Sequence, residues 1–356
     1  MERRRTRPVR VGGITVGGDA PISIQSMTNT DTHDIDATYD QTMRLCQAGC
    51  DVVRITAPDL ASVRTFEVLK SRGVPVPLVA DIHFNHEIAI ACAEAGVDKI
   101  RINPGNIGSD EQVRAVVEAC RKNGTPIRIG VNSGSLEKHI LARHGAPTAA
   151  ALAESALYHA SLLEKFEFHD VILSVKASDT RTMIEANRIL AQRTDYPLHL
   201  GVTEAGGGDS AIVKSSIGIG TLLAEGIGDT LRVSLTDDPV AEVYAAREIL
   251  KALSLTDRGG MDIVSCPTCG RTRIDLIRLV REFKERVRKE GLDHLGIKVA
   301  LMGCAVNGPG EAREADLGIA GGDGEGLIFK KGEILRKVDE DRLIDELISE
   351  IRTYVK

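Results

Sequence analysis

Hydrophobic residues recur along most of the chain in two alternating patterns. Short runs of branched aliphatics, interleaved with polar residues, read as strands. Longer stretches with apolar residues three or four apart read as helices, as in Val113 to Cys120 and Ala149 to Leu163. Strand candidates start near Ile22, Val52, Leu78, Lys99, Ile127, Val171, Leu198 and Leu231, with helical patterns between them. Ala48 to Ile55, Ala95 to Ile102 and Glu225 to Val233 repeat one unit: a helix ending at Gly, a short turn, then a strand carrying Arg. Eight strands alternating with helices predict a closed parallel (β/α)8 TIM-type barrel over 1–253. An open doubly wound sheet is the alternative, but no dinucleotide fingerprint follows the first strand.

Beyond a linker at 254–262, which contains Arg258-Gly259-Gly260, the pattern changes. A Cys-rich turn is followed by a helix from about Asp275 to Glu290 and a strand at Ile297 to Met302. A Gly-rich segment and a last helix from about Glu340 to Arg352 complete the chain. Residues 263–356 are therefore expected to form a small α/β domain.

Side chains alternate faces along a strand. Val53 and Ile55 oppose Arg54, and Ile100 and Ile102 oppose Arg101 and Asn103. Ile127, Ile129 and Val131 oppose Arg128 and Asn132; Val175 opposes Lys176; Leu231 and Val233 oppose Arg232 and Ser234. Asp81 and His83 share a face, and Glu204 follows the seventh strand. With the apolar set against the helices, four Arg and one Lys point into the barrel, with Asp81 and Glu204 as the acidic members. Buried cations cost several kcal/mol each unless balanced, on the order of 3–5 kcal/mol when a partner is missing. An anionic ligand would balance them, and Arg suits phosphate through its two-pronged geometry. The alternative is that some of these Arg pair with loop carboxylates and support the barrel. Lys214 to Gly220, after the seventh strand, reads either as a phosphate loop or as close helix packing.

Composition narrows the classes. The chain has 356 residues with 42% hydrophobic and 27% charged residues, enough for two cores. Aromatics are 3% and Trp is absent, which removes a base-stacking surface, and the net charge of −6 argues against nucleic acid. No apolar run follows Met1-Glu2-Arg3-Arg4-Arg5, and none is long enough for a bilayer, so a cytosolic protein away from membranes is expected. Seven cysteines in such a chain read as thiols or metal ligands.

Cys46, Cys50, Cys92 and Cys120 lie in helical stretches among Ala, Leu and Val and read as small buried core residues. Cys266-Pro267-Thr268-Cys269-Gly270 differs, because two-residue spacing lets both thiolates reach one metal centre, with Gly270 relieving the backbone. Cys304 supplies a third thiol in a second Gly-rich turn. A zinc site would want a fourth Cys or His, and the nearest, His294, is in a surface-type loop. An iron–sulfur cubane could use three thiolates with a weaker ligand such as Glu311, and a redox disulfide is a third reading.

Several motifs resemble the family of bacterial 4-hydroxy-3-methylbut-2-enyl diphosphate synthases over nearly the whole chain. They are Gly18-Asp19-Ala20-Pro21, Gln25-Ser26-Met27-Thr28, Ala80 to Phe84, Arg101 to Asn106, Gly130 to Ser135, Val202 to Gly206 and Ser234 to Pro239. Cys266 to Arg271 and Cys304 to Glu311 complete the set, in the two-domain form. The resemblance implies reductive opening of 2-C-methyl-D-erythritol 2,4-cyclodiphosphate, with loss of a hydroxyl as water. It implies a [4Fe–4S] cluster on Cys266, Cys269, Cys304 and Glu311, a head-to-tail homodimer, and ferredoxin or flavodoxin as electron donor. Arg54, Arg101, Arg128, Lys176 and Arg232, with Asp81, His83, Asn103, Asn132 and Ser234, would then bind the diphosphate. Glu204 would deliver the proton, and Asn307 would touch substrate or order the cluster loop. A zinc-stabilised binding protein for anionic metabolites and a pterin-binding barrel transferase are the rival readings.

Overall fold

The computed structural model describes residues 2–256, 260–293, 295–304 and 313–354. The chain forms two compact units, Met1–Thr256 and Asp257–Lys356.

The first unit is an eight-stranded parallel barrel. Its strands are β3 (Ser23–Met27), β4 (Val52–Thr56), β5 (Leu78–Asp81), β6 (Lys99–Ile102), β7 (Ile127–Asn132), β8 (Val171–Lys176), β9 (His199–Leu200) and β10 (Thr230–Leu231). Each starts within one residue of its expected position. Neighbours run in the order β8-β7-β6-β5-β4-β3-β10-β9, and a parallel bridge from Leu173 to Leu198 closes the ring. The turns of the repeated unit use Gly49, Gly96 and Gly226, all at positive φ. Branched aliphatics from the outer strand faces, such as Val53, Ile55, Ile100, Ile129 and Val175, pack with the surrounding helices in one buried core.

One element was not foreseen. A hairpin of β1 (Val9–Val11) and β2 (Ile14–Val16) precedes the barrel and packs Val9, Val11 and Val16 against Ile172. Ile172 lies on the inner face of β8, so this hairpin seals the lumen from the N-terminal end of the strands. Lys214 to Gly220 is neither loop nor phosphate cradle. It lies inside the helix Gly208–Ala224, where a Cβ on Gly218 would come within 2.6 Å of Met183 and 2.8 Å of Val202. Helix packing is therefore the reason for that glycine.

The second unit is a five-stranded mixed sheet, ordered β11 (Asp262–Ser265), β12 (Lys298–Met302), β13 (Leu317–Gly321), β14 (Glu325–Lys330) and β15 (Glu333–Asp339). The first three run parallel and the last two antiparallel. The helix Leu276–Lys289, capped by the Asp275 side chain, buries Leu276, Leu279, Phe283 and Val287. The helix Leu343–Tyr354 adds Leu343, Leu347 and Ile351 to the same core. Among the described residues, no helix is long and apolar enough to cross a membrane.

Candidate functional site

The barrel lumen collects the charged residues that the strand alternation aims inward. Asp81 on β5 sits between two guanidinium groups, with Arg101 at 3.1 Å and Arg54 at 3.7 Å. Burial alone would raise its carboxyl, but Arg54, Arg101 and Arg128 outweigh burial and hold it well below the usual carboxylate range. Arg101 also donates to the Gly130 carbonyl at 2.8 Å and to His83 Nε2 at 3.3 Å. Asn103 accepts from the Gly130 backbone at 3.0 Å. Gly130 is required here, because a Cβ would stand 2.4 Å from Arg101 Nε.

Arg232 is held differently. It forks onto Glu242 with bonds of 3.1 and 3.0 Å, and Glu242 also accepts from Ser26 Oγ and the Leu235 backbone. The Met27 sulfur accepts from Arg54 at 3.1 and 2.8 Å and from Arg232 at 3.8 Å, so it joins the two. Burial lowers Arg54 to about 10, with Asp81 opposing the shift and Arg232 and Arg101 adding to it, so it stays charged at neutral pH.

Arg128 and Lys176 complete the well without a carboxylate in an ion pair among the described residues. Arg128 is 1% exposed, and its Nε and one Nη find no hydrogen-bond acceptor there. Lys176 is buried beside Gly201, where a Cβ would meet its Nζ at 2.9 Å. Burial and the neighbouring cations push both groups down, although a guanidinium keeps its proton under such pressure. Asn132 pairs in register with Lys176, and Ser234 lies two residues past Arg232. Glu204 stands exposed beyond β9 with φ of +53°, a left-handed backbone that costs a non-glycine residue roughly 1 kcal/mol.

Alternation along the strands also placed residues not foreseen as part of the site. Lys99 shares the inner face of β6 with Arg101, and that parity alone could have flagged it. Glu242 is the second buried acid, in place of the exposed Glu204; it sits on the helix Pro239–Ala252, outside the strand pattern. Below the well, Gln25, Ser174, His199 and Thr230 are buried polar residues of the same lumen.

In the second unit, Cys266 follows β11 and its sulfur accepts from the Gly303 backbone at 3.2 Å. Arg273 donates to the Gly303 carbonyl at 2.9 Å, so the Cys266–Cys269 turn and the residue before Cys304 are laced together. Cys269 is exposed, and bonding from Arg271 lowers its thiol. Gly270 does not relieve a strained backbone: its φ lies outside the left-handed region, and a Cβ there would meet nothing within 4 Å among the described residues. Asn307, Glu311 and His294 lie outside the described residues. Among the described residues, no three His, Cys, Asp or Glu side chains form a single-ion site. None of the seven cysteines is joined in a disulfide. Burial raises Cys50, Cys92 and Cys120 to about 12, as expected of core residues, although Cys50 sits just before β4 rather than in a helix; Cys46 is only half-buried.

A closed barrel with more buried cations than carboxylates, followed by an α/β unit with thiols on adjoining turns, defines a two-domain barrel enzyme for an anionic substrate. A family model described as the GcpE TIM-barrel domain matches residues 6–247, and one described as the GcpE protein C-terminal domain matches residues 262–353. The chain belongs to this family, that of the 4-hydroxy-3-methylbut-2-en-1-yl diphosphate synthases. The 4-hydroxy-3-methylbut-2-en-1-yl diphosphate synthase (flavodoxin) of Clostridium perfringens is 56% identical over 353 residues, 99% of this chain and 100% of that protein. The protein of the same name from Geobacillus kaustophilus is 54% identical over 99% of this chain and 92% of its own length. Among solved structures, dihydropteroate synthase from Stenotrophomonas maltophilia aligns with a TM-score of 0.51 at 15% identity, over 70% of this chain and 98% of that one. That likeness is one of barrel fold alone, and a pterin-binding transferase is not favoured.

Proposed function

We propose that this chain reductively opens 2-C-methyl-D-erythritol 2,4-cyclodiphosphate to 4-hydroxy-3-methylbut-2-enyl diphosphate. The observation that carries the reading is the lumen itself. In a member of this family, Arg128 and Lys176 are buried without carboxylate ion-pair partners among the described residues, while Asp81 holds Arg54 and Arg101 and Glu242 holds Arg232. Two carboxylates against four guanidinium groups, with the Lys176 amine beside them, leave a surplus that a diphosphate would balance.

In this reading the barrel, 1–253, binds substrate and 263–356 carries a [4Fe–4S] cluster. Cys266, Cys269, Cys304 and Glu311 would hold it. The fit rests on donor chemistry and on the two laced turns. In a cubane each thiolate binds a different iron, so the sulfurs need not converge on one point as they would around zinc. When bound, the cluster supplies the two electrons of the reduction.

The chain's own residues do the rest. Arg128 and Lys176 face the phosphates, while Arg54, Arg101 and Arg232, fixed by Asp81, Glu242 and Met27, line the wall. His83, Asn103, Asn132, Ser234 and Asn307 orient the ring and its hydroxyls. Ring opening turns a cyclic dianion into an open trianion, so surplus positive charge favours the later, more negative species. Glu204, at the carboxyl end of β9, holds the proton that the departing hydroxyl needs.

Flavodoxin is the donor in this reading, supported by the names of the relatives. A homodimer is supported by the exposed apolar face of Ile212, Val213 and Ile217 on the helix Gly208–Ala224. Anaerobic turnover of the cyclic diphosphate with reduced flavodoxin, followed by phosphorus NMR, tests the reaction. Recovery of unchanged substrate with iron-loaded protein would overturn it.

A further inference from the structure

Lys99 is wholly buried, and its amine has no hydrogen-bond partner among the described residues. It lies on the inner face of β6, two residues before Arg101 and so one step deeper in the lumen. We infer that Lys99 is a sixth cation of the well, which takes up a proton from solvent when a diphosphate binds in the lumen. The inference rests on the anion-well reading above and adds a residue and a proton to it.

The surroundings of Lys99 argue for this role. Arg54 comes from β4, Asp81 from β5, Arg101 from β6 itself and Arg128 from β7. Lys176 comes from β8, His199 from β9 and Arg232 follows β10. Only Asp81 among them is acidic, and Arg54 and Arg101 already occupy it. An ammonium at that depth has no counter-charge of its own among the described residues to offset its desolvation. Burial, then Arg128 and Arg54, accordingly drives the Lys99 amine well below its ordinary value. The two guanidinium neighbours cannot respond to a ligand by changing protonation, because arginine holds its proton. Lysine can, since its pKa moves readily with its environment. A diphosphate beside Arg128 supplies the missing negative charge, which favours the protonated amine. His199 is buried without a hydrogen-bond partner for either ring nitrogen among the described residues, and burial followed by Arg128, Lys176 and Lys99 pushes it well below its ordinary value. It is a competing acceptor for the same proton, and so is Lys176.

Calorimetry separates these candidates. The cyclic diphosphate is titrated into the full-length protein without reductant, at pH 8, in buffers of different ionisation enthalpy. Wild type is expected to take up about one proton or more per site. Lys99→Met should lower that uptake by about one proton and weaken binding about tenfold, while His199→Gln leaves the Lys99 contribution in place. Uptake in Lys99→Met equal to wild type overturns the inference. So does wild-type binding with no proton uptake, which needs no variant to fold. Failure of the wild type to bind the cyclic diphosphate at all would instead overturn the well, and Lys99 with it.

Discussion

The two units hold their chemistry in opposite ways. In the barrel, the charged groups are buried on strands and locked by ion pairs, backbone carbonyls and the Met27 sulfur. In the C-terminal unit, the thiols stand on turns, and Cys269 is fully open to solvent. The well is therefore organised by the fold before any ligand arrives. Among the described residues the thiol turns are held by a few hydrogen bonds at Gly303, Arg271 and Thr272, and in this reading the group they bind adds to their order. Removing a group from the first site should disturb folding and binding in proportion to its partners. At the second it should remove the bound group and spare the fold.

The largest effect follows at the thiols. Cys266→Ser, Cys269→Ser or Cys304→Ser should each abolish the iron–sulfur absorbance and the activity, with thermal unfolding of the barrel unchanged. Cys92→Ser and Cys120→Ser, buried in the barrel core, should keep the absorbance. Iron content near normal in all three turn variants would break the comparison.

Glu204→Gln comes next. It keeps shape and hydrogen bonding but cannot donate a proton, so turnover should fall by about 10²–10⁴ with cluster and substrate affinity intact. Glu311→Ala should do the converse, giving a less stable cluster together with low activity. Wild-type single-turnover rates in Glu204→Gln would remove Glu204 from the chemistry.

Within the well, the partners decide. Arg232→Met strands the buried Glu242 carboxylate and should cost about 3–5 kcal/mol of stability. Arg128→Met strands nothing, so stability should hold or rise while substrate affinity weakens by about 1.5–3 kcal/mol. Lys176→Met should resemble Arg128→Met. Urea melts and calorimetry on the three variants check the split, and equal destabilisation in all of them would refute it.

Asp81 adds a pH dependence. Its folded pKa is depressed, so its stabilising contribution is present above the unfolded value of about 3.9 and is lost as pH falls through the folded value. Wild type should lose stability on acidification below about pH 4 more steeply than Asp81→Asn, which starts lower at neutral pH. Parallel curves would show that Asp81 is not the titrating group.

What the sequence made legible follows the same divide. The strand starts and the inward set of Arg54, Asp81, Arg101, Arg128, Lys176 and Arg232 could be read, because a period of two leaves each residue one of two faces. Lys99 obeyed that rule and was passed over. Glu242 escaped because it lies on a helix, outside the strand alternation, and reaches Ser26 across more than two hundred positions as well as Arg232 ten positions away. The β1–β2 hairpin carried a local signal, Val9-Arg10-Val11 and Ile14-Thr15-Val16 around Gly12-Gly13, but its purpose is to meet Ile172, a tertiary fact. Cys266 and Cys269 could be singled out by spacing, whereas spacing cannot say which turn a backbone N–H will approach.

The smallest effects sharpen the comparison most, because they alter one methyl group in each unit. At Gly130 an added Cβ would lie 2.4 Å from Arg101 Nε, and this guanidinium is already tied to Asp81, His83 and the Gly130 carbonyl. The far end of Arg101 cannot swing aside without giving up those bonds. Gly130→Ala should therefore cost about 1–3 kcal/mol, the usual price of overpacking, and weaken substrate binding with it. At Gly270 the same methyl meets nothing within 4 Å among the described residues, and the backbone there suits any residue. Gly270→Ala should leave stability within about 0.5 kcal/mol, or raise it slightly by restricting the unfolded chain. Its cluster spectrum should match wild type. If Gly130→Ala were neutral and Gly270→Ala cost the cluster, packing would govern the thiol turn and not the well, the reverse of the arrangement argued above.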